Sequence, residues 1–323
     1  MSVPEGGKTV AIPIRLLILP KFGSIKAGTG ADEVKDIFDR YFIGSEEYEI
    51  RGGVPGNRLY VKNGLALYVT GMGKVNVSAS VTALLLDTRF DYENAYILST
   101  GCAGGSVGLA VLGDVFVMRA AVDFDSGHHI DVRESSNPDR LWYRDPAFDE
   151  TSFTLTDPLL TEKVYALVKD LPLETPPKAG EFTLNAFPED SRAWAQRRPS
   201  VRLGTTLSSD NFWKGRYPHE TANAIVRAYG CPDPYALTEM EDSAIGAVLR
   251  RFGMEKRYIV IRACVNFDLF PKGVTPDMLW LNGSAQELSS EDSLESAGAF
   301  ETAMRNNLRV ISTVADAIMQ NKL

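Results

Sequence analysis

Apolar positions at Ile245, Val248, Leu249 and Phe252, spaced by three, four and seven, predict a helix over residues 243–252 with one buried stripe. The next segment, Tyr258-Ile259-Val260-Ile261-Arg262-Ala263-Cys264-Val265, has the near-continuous apolar run of a buried strand and ends in Asn266-Phe267-Asp268. The same alternation runs along the chain. Residues 14–19 read as a first core strand, followed by the loop Pro20-Lys21-Phe22-Gly23-Ser24 and a helix from Asp32 to Tyr41. Residues 58–61 and 65–69 flank Asn63-Gly64, a strong hairpin signal. Gly71-Met72-Gly73-Lys74 opens a helix that runs to Thr88. Residues 95–99 are a buried strand entering the glycine-rich stretch Thr100-Gly101-Cys102-Ala103-Gly104-Gly105, and residues 114–120 are another strand. Residues 132–200 break this rhythm with a helix from Leu159 to Leu171, a Pro-rich stretch from 172 to 177 and an amphipathic piece at 189–196. They read as an insertion packed against the core. A strand at 201–207, a helix at 221–229 and a long closing helix at 297–320 complete a single α/β unit over residues 1–323, with a flexible N-terminus at 1–10.

Composition narrows the function classes. The chain has 323 residues, 44% of them apolar, and a net charge of −8, so it carries no basic footprint for nucleic acid. Cys102, Cys231 and Cys264 are odd in number and widely spaced, which fits free thiols in a reducing compartment. With only three histidines a zinc site is not expected. The longest apolar runs fall short of the ~20 residues of a membrane span. A soluble, cytoplasmic protein is expected.

The informative segment is Glu239-Met240-Glu241-Asp242, at a helix start beside the end of a core strand. That is where α/β proteins bind polar small molecules. The competing reading is an acidic helix start that complements the helix dipole. Glycines at Gly23, Gly71/Gly73 and Gly101/Gly104/Gly105 end three strands on the same side and would let backbone approach a ligand. Neither the dinucleotide fingerprint nor a phosphate P-loop is present.

Six short segments occur in a telling order: Thr70-Gly-Met-Gly-Lys-Val75, Thr100-Gly-Cys-Ala-Gly-Gly105, Gly113-Asp-Val115, Ser209-Asp-Asn-Phe212, Glu239-Met-Glu241 and Arg262-Ala-Cys-Val-Asn266. This order resembles the nucleoside phosphorylase/nucleosidase superfamily, and the short motifs are most similar to methylthioadenosine/S-adenosylhomocysteine nucleosidases. The flanks resemble the purine nucleoside permease family of that superfamily: His129-Ile-Asp-Val-Arg-Glu134, the 159–170 helix, Arg197-Arg-Pro199 and Leu207-Ser-Ser-Asp-Asn-Phe-Trp-Lys-Gly215. The resemblance implies a three-layer nucleoside phosphorylase-like fold, a central mixed twisted sheet flanked by helices. It also implies a purine nucleoside as ligand, no cofactor, and a homodimer or higher homo-oligomer.

Roles follow from the resemblance position by position. Glu241 matches the carboxylate that grips the ribose hydroxyls, and Met240 the residue packed on the sugar, with Glu239 and Ser209 beside them. Phe212 matches the aromatic on which the purine stacks, and Cys102, Ala103 and Gly104 the loop over the base and ribosyl centre. Asn266 stands where nucleosidases carry an acid at purine N7. An amide delivers no proton but can hydrogen-bond N7 and a 6-oxo group, and Asp268 is then the candidate acid; the alternative for Asn266 is a strand-end turn residue. The first strand–loop holds no carboxylate to activate water and no arginine-based phosphate cradle. Lys21, Gly23, Ser24 and Lys26 are the substitutes there, against a reading of the lysines as solvated surface groups. Cleavage of the N-glycosidic bond by water is favoured over phosphorolysis, with inorganic phosphate as the alternative co-substrate. A non-catalytic nucleoside-binding protein linked to uptake is the competing class.

Overall fold

A ten-stranded mixed sheet organises the computed structural model, which describes residues 10–25, 32–131, 133–134, 141–187, 192–274 and 299–323. Its strands in chain order are β1 (Leu16–Leu19), β2 (Glu46–Glu49), β3 (Arg58–Lys62), β4 (Leu65–Leu67), β5 (Tyr96–Gly105), β6 (Val115–Asp123), β7 (Phe153–Leu155), β8 (Val201–Ser208), β9 (Tyr235–Glu239) and β10 (Tyr258–Phe267). They lie in the order β7-β6-β8-β9-β5-β1-β4-β3-β2, and β10 pairs with both β5 and β6. The strands β6, β8, β9, β5 and β10 therefore close on one another as a ring, and β1 to β4 extend from it as an open wing.

The helices are α1 (Lys35–Tyr41), α2 (Lys74–Leu85), α3 (Pro158–Val168), α4 (Ala179–Ala186), α5 (Arg216–Ala228), α6 (Asp242–Arg251) and α7 (Ala299–Met319). Neighbouring residues of a strand face opposite sides of the sheet, and here they feed separate cores. Ile97 packs in one core with Val77 and Val81 of α2 and Ile245 and Leu249 of α6. Leu98 packs in the other with Ile37 of α1, Val164 of α3 and Val310 and Val314 of α7. This gives three layers, helices on both faces of a sheet, as the resemblance implied. Among the described residues no helix is long and apolar enough to cross a membrane.

The Asn63-Gly64 turn is present, with both residues at positive φ as a tight hairpin needs. Three expectations change. The glycine-rich stretch 100–105, read as a loop, is the second half of β5: it keeps its ladder with β10 throughout and gains β9 at Gly104–Gly105. The strand β9, hidden behind Pro232 and Pro234, puts Glu239 at a strand end where only coil was expected. Inside 132–200, β7 joins the sheet edge against β6, α4 is a helix that was not expected, and the helix expected at 189–196 is seen as one turn, Arg192–Ala195, with residues 188–191 outside the described residues. Residues 1–9 and Lys26 lie outside the described residues.

Helix α6 lies tight against β7. A Cβ on Gly246 would come within 2.4 Å of the Thr154 side chain, so the glycine is there for close approach. Gly246→Ala should therefore destabilise the fold by about 1–3 kcal/mol in urea titration, although alanine is the better helix former.

Candidate active site

The site follows from a parting of strands. β5 is flanked by β1 at Tyr96–Ser99 and by β9 at Gly104–Gly105, so between them, on that side, its backbone has no strand neighbour. Unpaired buried amides must find other acceptors. Glu33, from the turn before α1, supplies both oxygens: Oε1 accepts from Cys102 N at 2.7 Å and Oε2 from Lys21 N at 2.8 Å. One carboxylate thus bridges the diverging strands. Gly101 sits at φ +148°, and a Cβ there would lie 2.3 Å from Glu33 Oε1, so a side chain at 101 would expel the carboxylate. Burial pushes the Glu33 carboxyl up from its ordinary value, against the pull of Arg262 and Lys21.

Above this gap lies a cavity of about 230 Å³, floored by Lys21, Glu33, Cys102 and Arg262 and walled by Met240, Glu241 and Asn266. Arg262 organises the floor. Its side chain is 1% exposed, and Nη2 donates to Glu239 at 3.1 Å, Glu241 at 3.0 Å and Asp242 at 2.8 Å. Nε reaches the second Asp242 oxygen at 3.0 Å, and Nη1 the Cys102 carbonyl at 3.2 Å. Burial raises Asp242, but Arg262 outweighs it and holds the carboxyl below its ordinary value. Glu239, raised by burial and then by Asp242, closes the β9–α6 seam. Its Oε2 caps Glu241 N and Asp242 N at 2.6 and 2.8 Å, and its Oε1 accepts from Ser208 and Thr206. Both Glu239 oxygens are thus taken by the protein. Glu241 keeps more acceptor capacity: Oε1 takes Gly73 N at 3.0 Å and Oε2 takes Arg262, leaving lone pairs toward the cavity.

Phe212 stands at the mouth, 86% exposed, because its neighbours are fastened. Ser209 Oγ, Asp210 N and Asn211 Nδ2 all donate to Asp125, and Trp213 stacks on Phe124 at 4.9 Å. Ser209 is therefore placed behind the loop, outside the cavity lining. Asn266 lines the wall opposite Thr238, its Oδ1 3.0 Å from where a Gly104 Cβ would be. Asp268 is buried, with Tyr235 Oη at 2.8 Å and the His219 ring at 2.7 Å on one oxygen and Val107 N at 3.3 Å on the other.

Lys21 is no surface lysine. It is 2% exposed, and Nζ donates to the Leu19 carbonyl, Ser99 Oγ and the Thr100 carbonyl. Gly23 and Ser24 wrap around Asp32, whose Oδ2 accepts Ser24 N at 2.7 Å, and neither lines the cavity. The structure thus brings together Glu241, Met240, Phe212, Cys102, Ala103, Gly104, Asn266, Asp268 and Lys21, as well as Glu239. Glu33, Arg262 and His219 were not singled out from sequence. Arg262 had a signal, a lone charge inside an apolar strand, which requires buried partners. Glu33 had none, since an acid near a helix start looks like a cap.

A family profile described as purine nucleoside permease matches residues 14–322. The chain belongs to the purine nucleoside permease family. A probable purine nucleoside permease of Schizosaccharomyces pombe is 26% identical over 275 residues, covering 75% of this chain and 78% of that protein. The purine nucleoside permease of Candida albicans is 24% identical over 237 residues, covering 68% of this chain and 58% of the relative's own length. In fold, the family member resembles the 5′-methylthioadenosine/S-adenosylhomocysteine nucleosidase of Neisseria meningitidis, with a TM-score of 0.56 at 16% identity over 94% of this chain and 100% of that one. The futalosine hydrolase of Helicobacter pylori gives a TM-score of 0.56 at 16% identity over 94% of this chain and 97% of that one.

Removing the guanidinium leaves buried carboxylates unpaired. Arg262→Gln should cost about 3–5 kcal/mol at neutral pH. Without Arg262 the folded-state carboxyl values rise above the unfolded ones, so the deficit should shrink as pH falls toward 4 and the acids take up protons. Unfolding titrations across that range check both the size and the sign.

Proposed function

We propose that the protein cleaves the N-glycosidic bond of purine nucleosides with water as acceptor, and that Glu33 holds and deprotonates that water. The observation that carries this reading is the Glu33 carboxylate on the cavity floor, facing the same space as Glu241. In this reading the ribose lies over Met240 with its 2′- and 3′-hydroxyls donating to Glu241, and the purine extends toward Phe212 and Asn266. Water bonds to C1′ as the C1′–N9 bond breaks, and its proton passes to Glu33. The purine leaves with the electron pair, spread over its ring and a 6-oxo group and met by the Asn266 amide, and is protonated from solvent. Positive charge growing on the ribosyl group is met by the Glu241 carboxylate.

Water fits the pocket better than phosphate. Glu33 and Glu241 would repel a phosphate dianion, and the buried cations Lys21 and Arg262 direct their donors to protein acceptors. Asp268, its oxygens occupied by three groups, fits a role in holding the wall better than proton delivery. The relatives' names favour a second reading, a nucleoside-binding protein without turnover that acts in uptake.

Release of free base from inosine, guanosine and adenosine, with and without phosphate, separates these readings. The expected result is phosphate-independent release with 6-oxopurines preferred. Strict phosphate dependence would mean phosphorolysis, and nucleoside affinity without release would mean the binding protein. Glu33→Gln should lower turnover by at least ~10²-fold, with a loss of stability in urea because its NH2 group meets one of the two main-chain N–H groups that the carboxylate accepts, and Glu241→Ala should lower turnover by a similar factor. The acid limb of the rate profile should lie above the ordinary glutamate value, because the Glu33 carboxyl is raised. Asn266→Asp should move preference toward adenosine, read as a ratio of kcat/KM values.

A further inference from the structure

Lys21 is a buried cation of the cavity floor that the proposed reaction does not use. Its ammonium has three donors and three protein acceptors, the Leu19 carbonyl, Ser99 Oγ at 2.8 Å and the Thr100 carbonyl at 3.4 Å. So directed, it offers a ligand little. Ser99 Oγ in turn donates to Asp242 Oδ1 at 2.5 Å, so a single hydroxyl links the ammonium to the carboxylate cluster. The charged groups around it come from several elements. Glu33 precedes α1 and accepts from Lys21 N, Glu239 ends β9, Glu241 and Asp242 open α6, and Arg262 lies on β10. The Cys102 thiol on β5 and the Tyr258 hydroxyl on β10 are both driven up by burial, and so stay neutral. Four carboxyl groups thus share two cations. Burial, then Arg262, lowers Lys21 to about 8, which leaves it mainly charged at neutral pH.

We propose that Lys21 is a positioning residue of this site: its sequestered ammonium is the second positive charge that keeps the Glu33 carboxylate available as an acceptor on the cavity floor. The kinetic side of this proposal rests on the nucleoside-cleaving reading, while its electrostatic side does not.

The test uses the full chain with Lys21→Met, which removes the charge at similar length, and Ser99→Ala, which removes the bridging hydroxyl and keeps the charge. Urea unfolding from pH 5 to 7 needs no substrate. Lysine 21 is mainly protonated in both folded and unfolded states over this range, so a direct titration contributes little. If its charge sustains the carboxylates, the wild-type advantage over Lys21→Met grows as pH rises, by ~10-fold in the unfolding constant for each pH unit of lost carboxyl shift. The Ser99→Ala deficit should change less with pH, through Asp242 alone, whose carboxyl loses one donor. A Lys21→Met deficit that does not change with pH, or one that Ser99→Ala matches, overturns the proposal. In base-release assays the acid limb of kcat/KM should move up by one pH unit or more in Lys21→Met alone; a uniform loss at every pH overturns it. If Lys21→Met does not fold, Lys21→Gln, which lacks the charge but keeps a donor for the same acceptors, takes its place. Its deficit in urea should likewise grow from pH 5 to 7, and a level deficit overturns the proposal. Failure of the wild type to release base removes the nucleosidase reading and leaves the unfolding arm to decide Lys21.

Discussion

One guanidinium nitrogen, Arg262 Nη2, touches carboxylates at three positions of the β9–α6 seam, Glu239, Glu241 and Asp242. Taking these charges out of water costs several kcal/mol each, and buried ion pairs often return little net stability. The value of this cluster lies in geometry. A single donor group fixes the angle at which the strand turns into the helix, and with it the direction in which Glu241 faces. Glu239 completes the device from the other side by capping the helix it precedes. The segment that reads in sequence as a charged helix start is therefore an internal joint, and Asp242 is its most deeply buried part rather than a solvated cap.

The second constraint is the parting of β1 and β9 on one edge of β5. A continuous sheet would have consumed the amides of Lys21 and Cys102 in ladders. Their exposure to the gap creates a place that only an acceptor can fill, and Glu33 fills it. The acid and the cavity have the same origin. A site with more carboxylates than cations is also suited to a reacting group that becomes positive, since the field is in place before the bond breaks.

Much of this was legible from the residues. Most of the central strands and the Asn63-Gly64 hairpin follow from periodicity and turn chemistry, and the three-layer plan is what the resemblance implied. The ordered motifs singled out Glu241, Met240, Phe212, Cys102 and Asn266, and all five line one cavity. What stayed hidden has physical causes. The strand β9 is five residues long and follows two prolines, so its pattern is too short to declare itself. Gly101 and Gly104 look like loop residues because glycine marks both turns and close packing. Glu33 reaches the site from beyond the first loop, and no local spacing reports a carboxylate answering two amides from different strands. Lys21, read with Gly23 and Ser24 as a phosphate or water site or else as a solvated surface group, carries its charge inward because three acceptors are waiting there.

The gap in β5 has one more consequence. The groups that meet Glu33 are main-chain amides, present whatever side chains stand at positions 21 and 102. Substitution can repaint the rim, where Phe212 hangs from a loop moored to Asp125, but the two amides that hold the Glu33 carboxylate survive any change of side chain at 21 and 102 except proline. Drift in ligand preference would then be confined to the mouth, and relatives that differ in what they accept would be expected to share the same depth.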